Sequence, residues 1–200
     1  MRTPGSKPSS PKSPSSYPRK LRIIGGRWRG RRLDVSESEG LRPTPDRVRE
    51  TLFNWLQPYI AGASCLDLFT GTGALCLEAL SRGAADVVMV EKAPRVAERL
   101  RQHVERLEAT GAEVVLADAV EFLQRSPRAF DIVFLDPPFK SNLIADCAAL
   151  VEARGWIKPG GLIYVEAPSR LENLELPATW ELIRSKKAGQ VGYHLARKTA

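Results

Sequence analysis

The chain has few of the residues that staple a fold or bind metal: three cysteines and two histidines in 200 positions. Cys65, Cys76 and Cys147 are odd in number, widely spaced and each set in an apolar segment. They offer neither a disulfide framework nor a Cys-x-x-Cys metal pair, and fit a reducing cytoplasm. His103 and His194 are far apart in sequence, so no metal site is expected. Apolar runs fall well short of the roughly 18 residues of a membrane-crossing helix, and no membrane span is expected either. Acids are missing from residues 1–20, which hold five Pro, six Ser and five Lys or Arg. That composition cannot build a core and reads as a disordered basic tail. Its spaced prolines exclude the amphipathic helix of an organelle transit peptide.

What is present is enough for one domain: 43% of the residues are hydrophobic, and a chain of this size buries roughly 70% of its unfolded surface. The net charge of +7 is unevenly placed. Residues 1–49 carry 13 Lys or Arg against 4 Asp or Glu, and residues 50–200 carry 17 against 19. A basic arm on a near-neutral body is the footprint of a nucleic-acid binder, or else of a solubilising tail. Three regions follow: the tail at 1–20, a ribbon and helix at 21–60, and an α/β domain at 61–200.

In the second region, residues 21–35 read as a small ribbon. Arg27, Trp28, Arg29, Arg31 and Arg32 interleave with glycine, a pattern suited to phosphate contact and base stacking, or to a hairpin whose arginines face water. Thr44 and Pro45 then suit a helix start. The helix at 46–58 places Val48, Leu52, Trp55, Leu56 and Tyr59 on one face, with Arg47, Arg49 and Glu50 flanking it.

From residue 63 strand and helix patterns alternate. Strands are predicted at 64–69, 86–90, 113–117, 130–135 and 161–166, with helices at 73–82, 94–110, 119–125 and 143–153. That order specifies a parallel sheet covered by helices. Residues 180–187 and 191–197 form a closing antiparallel hairpin through Ala188, Gly189 and Gln190.

Residues 65–74, Cys-Leu-Asp-Leu-Phe-Thr-Gly-Thr-Gly-Ala, read as strand, tight turn and helix start. Gly71 and Gly73 let a ligand approach the backbone. The third glycine of a pyrophosphate-binding turn is missing, since Cys76 stands there, and the loop has no lysine for phosphate. Asp67 sits inside the strand, where a carboxylate needs a partner such as a ligand ammonium. Glu91 ends the second strand, where an acid can take ribose hydroxyls. Asp118 and the Ala119 amide follow the third, within reach of an adenine. Each acid is also a candidate helix cap; jointly they match the amino-acid, ribose and adenine parts of S-adenosylmethionine.

Residues 131–139, Asp-Ile-Val-Phe-Leu-Asp-Pro-Pro-Phe, carry the reaction chemistry. Pro137 and Pro138 cannot donate to a ladder and fix φ near −65°, so the strand stops in a stiff ledge. Asp136 supplies a carboxylate and Phe139 a ring. The Asp136 side chain and the Pro137 carbonyl can accept hydrogens from an exocyclic amine while Phe139 stacks on its base.

The glycine turn, Glu91, Asp118 and the ledge resemble the class I S-adenosylmethionine-dependent methyltransferases that modify exocyclic amines. More narrowly, residues 22–33 (Arg-Ile-Ile-Gly-Gly-Arg-Trp-Arg-Gly-Arg-Arg-Leu), 41–54 (Leu-Arg-Pro-Thr-Pro-Asp-Arg-Val-Arg-Glu-Thr-Leu-Phe-Asn) and 188–193 (Ala-Gly-Gln-Val-Gly-Tyr) resemble the bacterial 16S rRNA guanine-N2 methyltransferases, the RsmD family. The likeness covers residues 21–198 and leaves the tail unmatched. It implies a Rossmann-like, mostly parallel seven-stranded sheet with an antiparallel C-terminal edge hairpin. It implies methylation of guanine-966 in a small-subunit rRNA loop, on the 30S particle or its assembly intermediate; the cysteine usage adds a cytoplasmic location, and nothing in the sequence suggests more than a monomer. By position, Asp136, Pro137, Pro138 and Phe139 would form the catalytic ledge. Asp67, Phe69, Gly71, Gly73, Glu91, Lys92, Asp118 and Ala119 would hold the cofactor, with Thr44 and Arg47 covering it. The basic residues up to Arg42 would meet RNA. A DNA adenine-N6 methylase and a non-catalytic RNA-binding assembly factor are the alternatives; the chain shows no separate target-recognition domain, and its strand-end acids are intact.

Overall fold

Strands buried on both faces need unbroken apolar runs, and four such runs form the centre of the sheet. The computed structural model describes residues 20–35, 44–138, 143–171 and 174–199. A two-stranded antiparallel ribbon comes first, β1 (Lys20–Arg22) and β2 (Arg32–Asp34), followed by helix α1 (Asp46–Leu56). The main unit then runs β3 (Ser64–Asp67), α2 (Ala74–Ser81), β4 (Asp86–Glu91), α3 (Pro94–Arg106), β5 (Ala112–Leu116), α4 (Ala119–Leu123), β6 (Phe130–Leu135), α5 (Leu143–Ala153), β7 (Ile157–Pro168), β8 (Trp180–Ala188) and β9 (Val191–Lys198). The seven main strands lie in the order β5-β4-β3-β6-β7-β9-β8, parallel from β5 to β7 and antiparallel through β9 and β8. The Rossmann-like fold expected from the sequence is the one found.

Side chains alternate across this sheet. Ile132, Phe134, Leu162 and Tyr164 join α1, α2 and the ribbon in one core. Val133, Leu135, Ile163 and Val165 meet α4 and α5 in the other. At the C-terminal edge, β8 and β9 turn through Gly189 (φ +61) and Gln190, the glycine taking the first turn position as a two-residue hairpin of that hand requires. The exposed edge strand β8 is charged and bulged between Leu182 and Arg184, which blunts edge pairing.

Several element ends differ from the sequence reading. Strand β7 begins at Ile157 because Ile157 pairs with Phe130 ahead of a register shift. Helix α3 stops at Arg106, and Glu108 takes a positive φ of 50°. The ribbon does not run strand-to-strand through Gly25 and Gly26; a short 3-10 turn, Gly26–Trp28, lies between its strands. At Gly26 (φ +71) an added Cβ would meet the Ser81 carbonyl oxygen, so only glycine permits this approach to α2.

The ribbon is fastened to α2 by an acid. The Ile24 and Gly25 amides donate to the two Glu78 carboxylate oxygens at 2.8 and 2.7 Å, and Arg82 Nε donates to Glu78 at 2.7 Å. Arg49, 1% exposed, lies 3.6 Å from Glu78 and donates to Asp46 and the Arg22 carbonyl. Arg49 was expected beside the apolar stripe; it is instead a buried partner for a buried acid.

Candidate active site

The site is assembled where β3, β4, β6 and β7 end, the side of an open α/β sheet that receives ligands. Gly71 (φ +52) and Gly73 (φ +80) form the turn from β3 into α2. A Cβ on Gly73 would come 2.8 Å from Leu100 and 3.1 Å from Leu77, so the turn packs tightly against α3. The Gly71 amide donates to Glu91 Oε2 at 3.0 Å and the Ala93 amide to Oε1 at 2.7 Å. Glu91 thus ties the turn to the end of β4, and its carboxylate keeps further lone pairs for a ligand. Asp34, the last residue of the ribbon, and Val35 share a small cleft with Gly71, Thr72 and His103.

Asp67, 2% exposed, accepts from the Phe69 amide and the Cys76 thiol, both at 3.1 Å. Burial, with the nearby Glu91 charge, raises its pKa to about 6 against those hydrogen bonds. Cys76, which replaces the third glycine of the turn, therefore has a use: it is a donor to the strand acid. Phe69 is half-buried and packs on the α4–α5 side. Asp118 is the N-cap of α4, accepting from the Val120 amide at 2.9 Å, and Ala119 is buried behind it. Lys92 and Arg47 are exposed at the rim.

Asp136 stands half-buried at the end of β6, with Pro137 buried and Pro138 exposed. Thr44 Oγ1 donates to Asp136 Oδ2 at a long 3.5 Å. Thr44 is not the helix cap anticipated from sequence: Pro45 occupies the cap with no side-chain bond, and the Thr44 hydroxyl turns to Asp136. Burial first, then the charges of Glu166 and Asp67, hold the Asp136 carboxyl well above the usual carboxylate range. Phe139 and Arg42 lie outside the described residues, as does the tail through residue 19.

The ribbon divides its expected RNA contacts. Arg27, Arg29, Arg31 and Arg32 are exposed and make no ion pair among the described residues. Trp28 does not present its ring for stacking: it is 5% exposed in the core, its amide donating to Ser81 Oγ at 3.0 Å. The Arg27 guanidinium covers the ring at 4.2 Å.

Sequence reasoning missed Glu166. It is 3% exposed on β7, takes the Tyr164 hydroxyl at 2.7 Å, and burial lifts its pKa to about 7. A single acid inside the apolar run of residues 161–168 was the available signal. Asp67, Asp136 and Glu166 thus end three adjacent strands with no Lys or Arg paired to them among the described residues. A cationic ligand with an amino-acid group fits that donor set.

The doubly wound sheet, glycine turn and strand-end acids are those of a class I S-adenosylmethionine-dependent methyltransferase. The match of residues 21–197 to the family described as conserved hypothetical protein 95, together with the relatives below, places the chain in the family of the ribosomal RNA small subunit methyltransferase D proteins. It is 50% identical to that enzyme of Escherichia coli (strain K12) over 182 residues, 90% of this chain and 91% of the relative. A solved Escherichia coli chain, yhhF, is 46% identical with a TM-score of 0.85, covering 90% of this chain and 99% of that one. An RNA methyltransferase of Salinibacter ruber, solved with S-adenosyl-L-homocysteine, shares the fold at 14% identity and a TM-score of 0.61, over 78% of this chain and 94% of that one.

Proposed function

We propose that this chain methylates the exocyclic N2 of one guanine in 16S rRNA of the small ribosomal subunit, at the position 966 implied by its resemblance. The observation that supports the reading is the rigid stop at Asp136, Pro137 and Pro138 after β6, where the Asp136 carboxyl feels the charges of Glu166 and Asp67. The names of relatives in Escherichia coli and Haemophilus influenzae, ribosomal RNA small subunit methyltransferase D, support the substrate. Arginines of the ribbon that are exposed, with no ion pair among the described residues, supply phosphate contacts.

Guanine N2 is a weak nucleophile because its lone pair is delocalised into the ring. The chain's task is therefore to hold the amine in line with the donor and localise that pair. Asp136 and the Pro137 carbonyl accept the two N2 hydrogens, and Phe139 stacks on the flipped base, offsetting part of the few kcal/mol of unstacking. Asp67 and Glu91 hold the amino-acid and ribose portions of the cofactor, and Asp118 with Ala119 the adenine. S-adenosylmethionine, when bound, supplies the methyl group on a sulfonium that is already an excellent leaving group.

Labelled cofactor incubated with unmodified 30S particles, naked 16S rRNA and DNA tests the reading. Label recovered as N2-methylguanosine from ribosomal RNA is expected. Label in DNA adenine, or in no nucleic acid, would overturn it. Asp136→Ala should retain cofactor binding while turnover falls about a hundredfold or more.

A further inference from the structure

The edge strand β8 carries a run of cations that the scheme above does not use. Arg184, Lys186 and Lys187 are exposed and form no ion pair among the described residues; the Arg184 guanidinium donates to the carbonyl of its neighbour Ile183. The strand's one acid, Glu181, stands towards its other end, opposite Arg197. Strand register fixes where the run lies. Val191 of β9 stands opposite Pro168 at the end of β7, and Ala188 of β8 stands opposite Val191. The β8–β9 turn is therefore at the end of the sheet where β6 stops in its ledge. It is tied there by the Ser169 amide, which donates to the Gln190 carbonyl at 2.8 Å. Arg170, also exposed, follows directly.

Opposed residues of an antiparallel pair share a face. Arg184 and Lys186 stand opposite Leu195 and Tyr193, which belong to the core that includes α1 and the ribbon. The Tyr193 ring stacks on Trp55 of α1 at 5.5 Å. These two cations thus lie on the face that carries the ribbon. The ribbon is fastened to α2, which packs on β3 and β4, whereas β8 is the opposite edge of the sheet. The end of β6 lies between the two basic elements.

We propose that Arg184, Lys186 and Lys187, with Arg170 beside them, form a second RNA-phosphate surface, so that ribbon and hairpin hold the substrate backbone on both sides of the guanine entering at the ledge. This rests on the reading of the chain as an rRNA methyltransferase. From β6 to β8 is three strand spacings, about 14 Å, a span of about four nucleotides at ~3.4 Å of rise each. A base turned out of its stack leaves an opened backbone, and phosphate contacts on both flanks keep that backbone in register. Edge lysines also guard against strand pairing, but a guard has no need to gather like charges at the substrate end of the strand.

The test is binding of unmodified 30S particles and of naked 16S rRNA as a function of salt. Arg184→Gln, Lys186→Gln and Lys187→Gln combined should weaken both by about tenfold and lower the log–log salt slope by roughly 2. Cofactor affinity in calorimetry and denaturant unfolding should not change. Lys187→Gln alone, with a slope lowered by roughly 0.7, carries the test if the triple variant does not fold. Arg125→Gln combined with Arg128→Gln removes exposed cations just ahead of β6, at the opposite end of the strands, and should leave the slope in place. An unchanged slope in the β8 variant overturns the surface, and new self-association there would mean that the lysines only guard the edge. An equal fall per charge in the control pair also overturns it, as does a loss confined to 30S particles, which would point to a protein partner. An unaltered chain that transfers no methyl group to rRNA removes the functional reading; one that methylates while the β8 variant matches its slope removes only the surface.

Discussion

The Gly71 amide donates to the Glu91 carboxylate at 3.0 Å, joining the turn after β3 to the end of β4. One acid therefore shapes the glycine turn and is also the residue proposed to hold the ribose. Loss of the side chain removes both effects.

Glu91→Ala is expected to weaken S-adenosylmethionine binding by about tenfold or more, since hydrogen bonds to a charged group contribute about 1.5–3 kcal/mol each. Titration calorimetry measures this directly. An unchanged dissociation constant would remove Glu91 from the cofactor site.

Trp28 and its neighbouring arginines should separate stability from RNA affinity. Trp28→Ala deletes a buried ring and is expected to cost about 3–5 kcal/mol in denaturant unfolding. Arg29→Ala combined with Arg31→Ala should leave stability nearly unchanged. In filter binding it should weaken RNA and flatten the salt dependence by roughly 1.5 in log–log slope. Equal RNA affinity in the double variant would mean that the ribbon faces only water.

Asp67 and Glu166 make the cofactor-free protein less stable as pH rises. Their folded pKa values, about 6 and about 7, lie above the ordinary 3.8 and 4.5. The folded state therefore binds more protons than the unfolded state in this window, and unfolding free energy falls with increasing pH. Their favourable contribution is complete below about pH 4 and is lost as pH climbs through about 7, a change on the order of a few kcal/mol. Urea unfolding at pH 5 and pH 8 measures it. Asp67→Asn combined with Glu166→Gln should reduce the dependence, Asp136 supplying the remainder because burial also holds its carboxyl high; a slope undiminished in this variant would place its origin elsewhere.

The sequence made the parallel sheet, its edge hairpin and the ledge legible because each rests on local rules. Continuous apolar strands alternate with helices, a glycine begins a two-residue turn, and two prolines stop β6. Tertiary partners decided the rest. Thr44 before a proline reads as a cap, but its hydroxyl turns to Asp136 instead. Arg49 beside an apolar stripe reads as solvated; its burial becomes intelligible only with Glu78, an acid set in the otherwise apolar α2. Trp28 among arginines reads as a stacking platform until Ser81 and the core claim it. Glu166 was concealed in the same way, as a lone acid in a strand otherwise built for the interior.

Glu78 sits five residues beyond Gly73, less than two turns of α2 from the cofactor loop. The ribbon proposed to meet RNA and the bend proposed to hold the donor are thus anchored to one short rod. A change at its midpoint therefore reaches the ribbon through the Glu78 carboxylate and the glycine bend through the first turns of the helix.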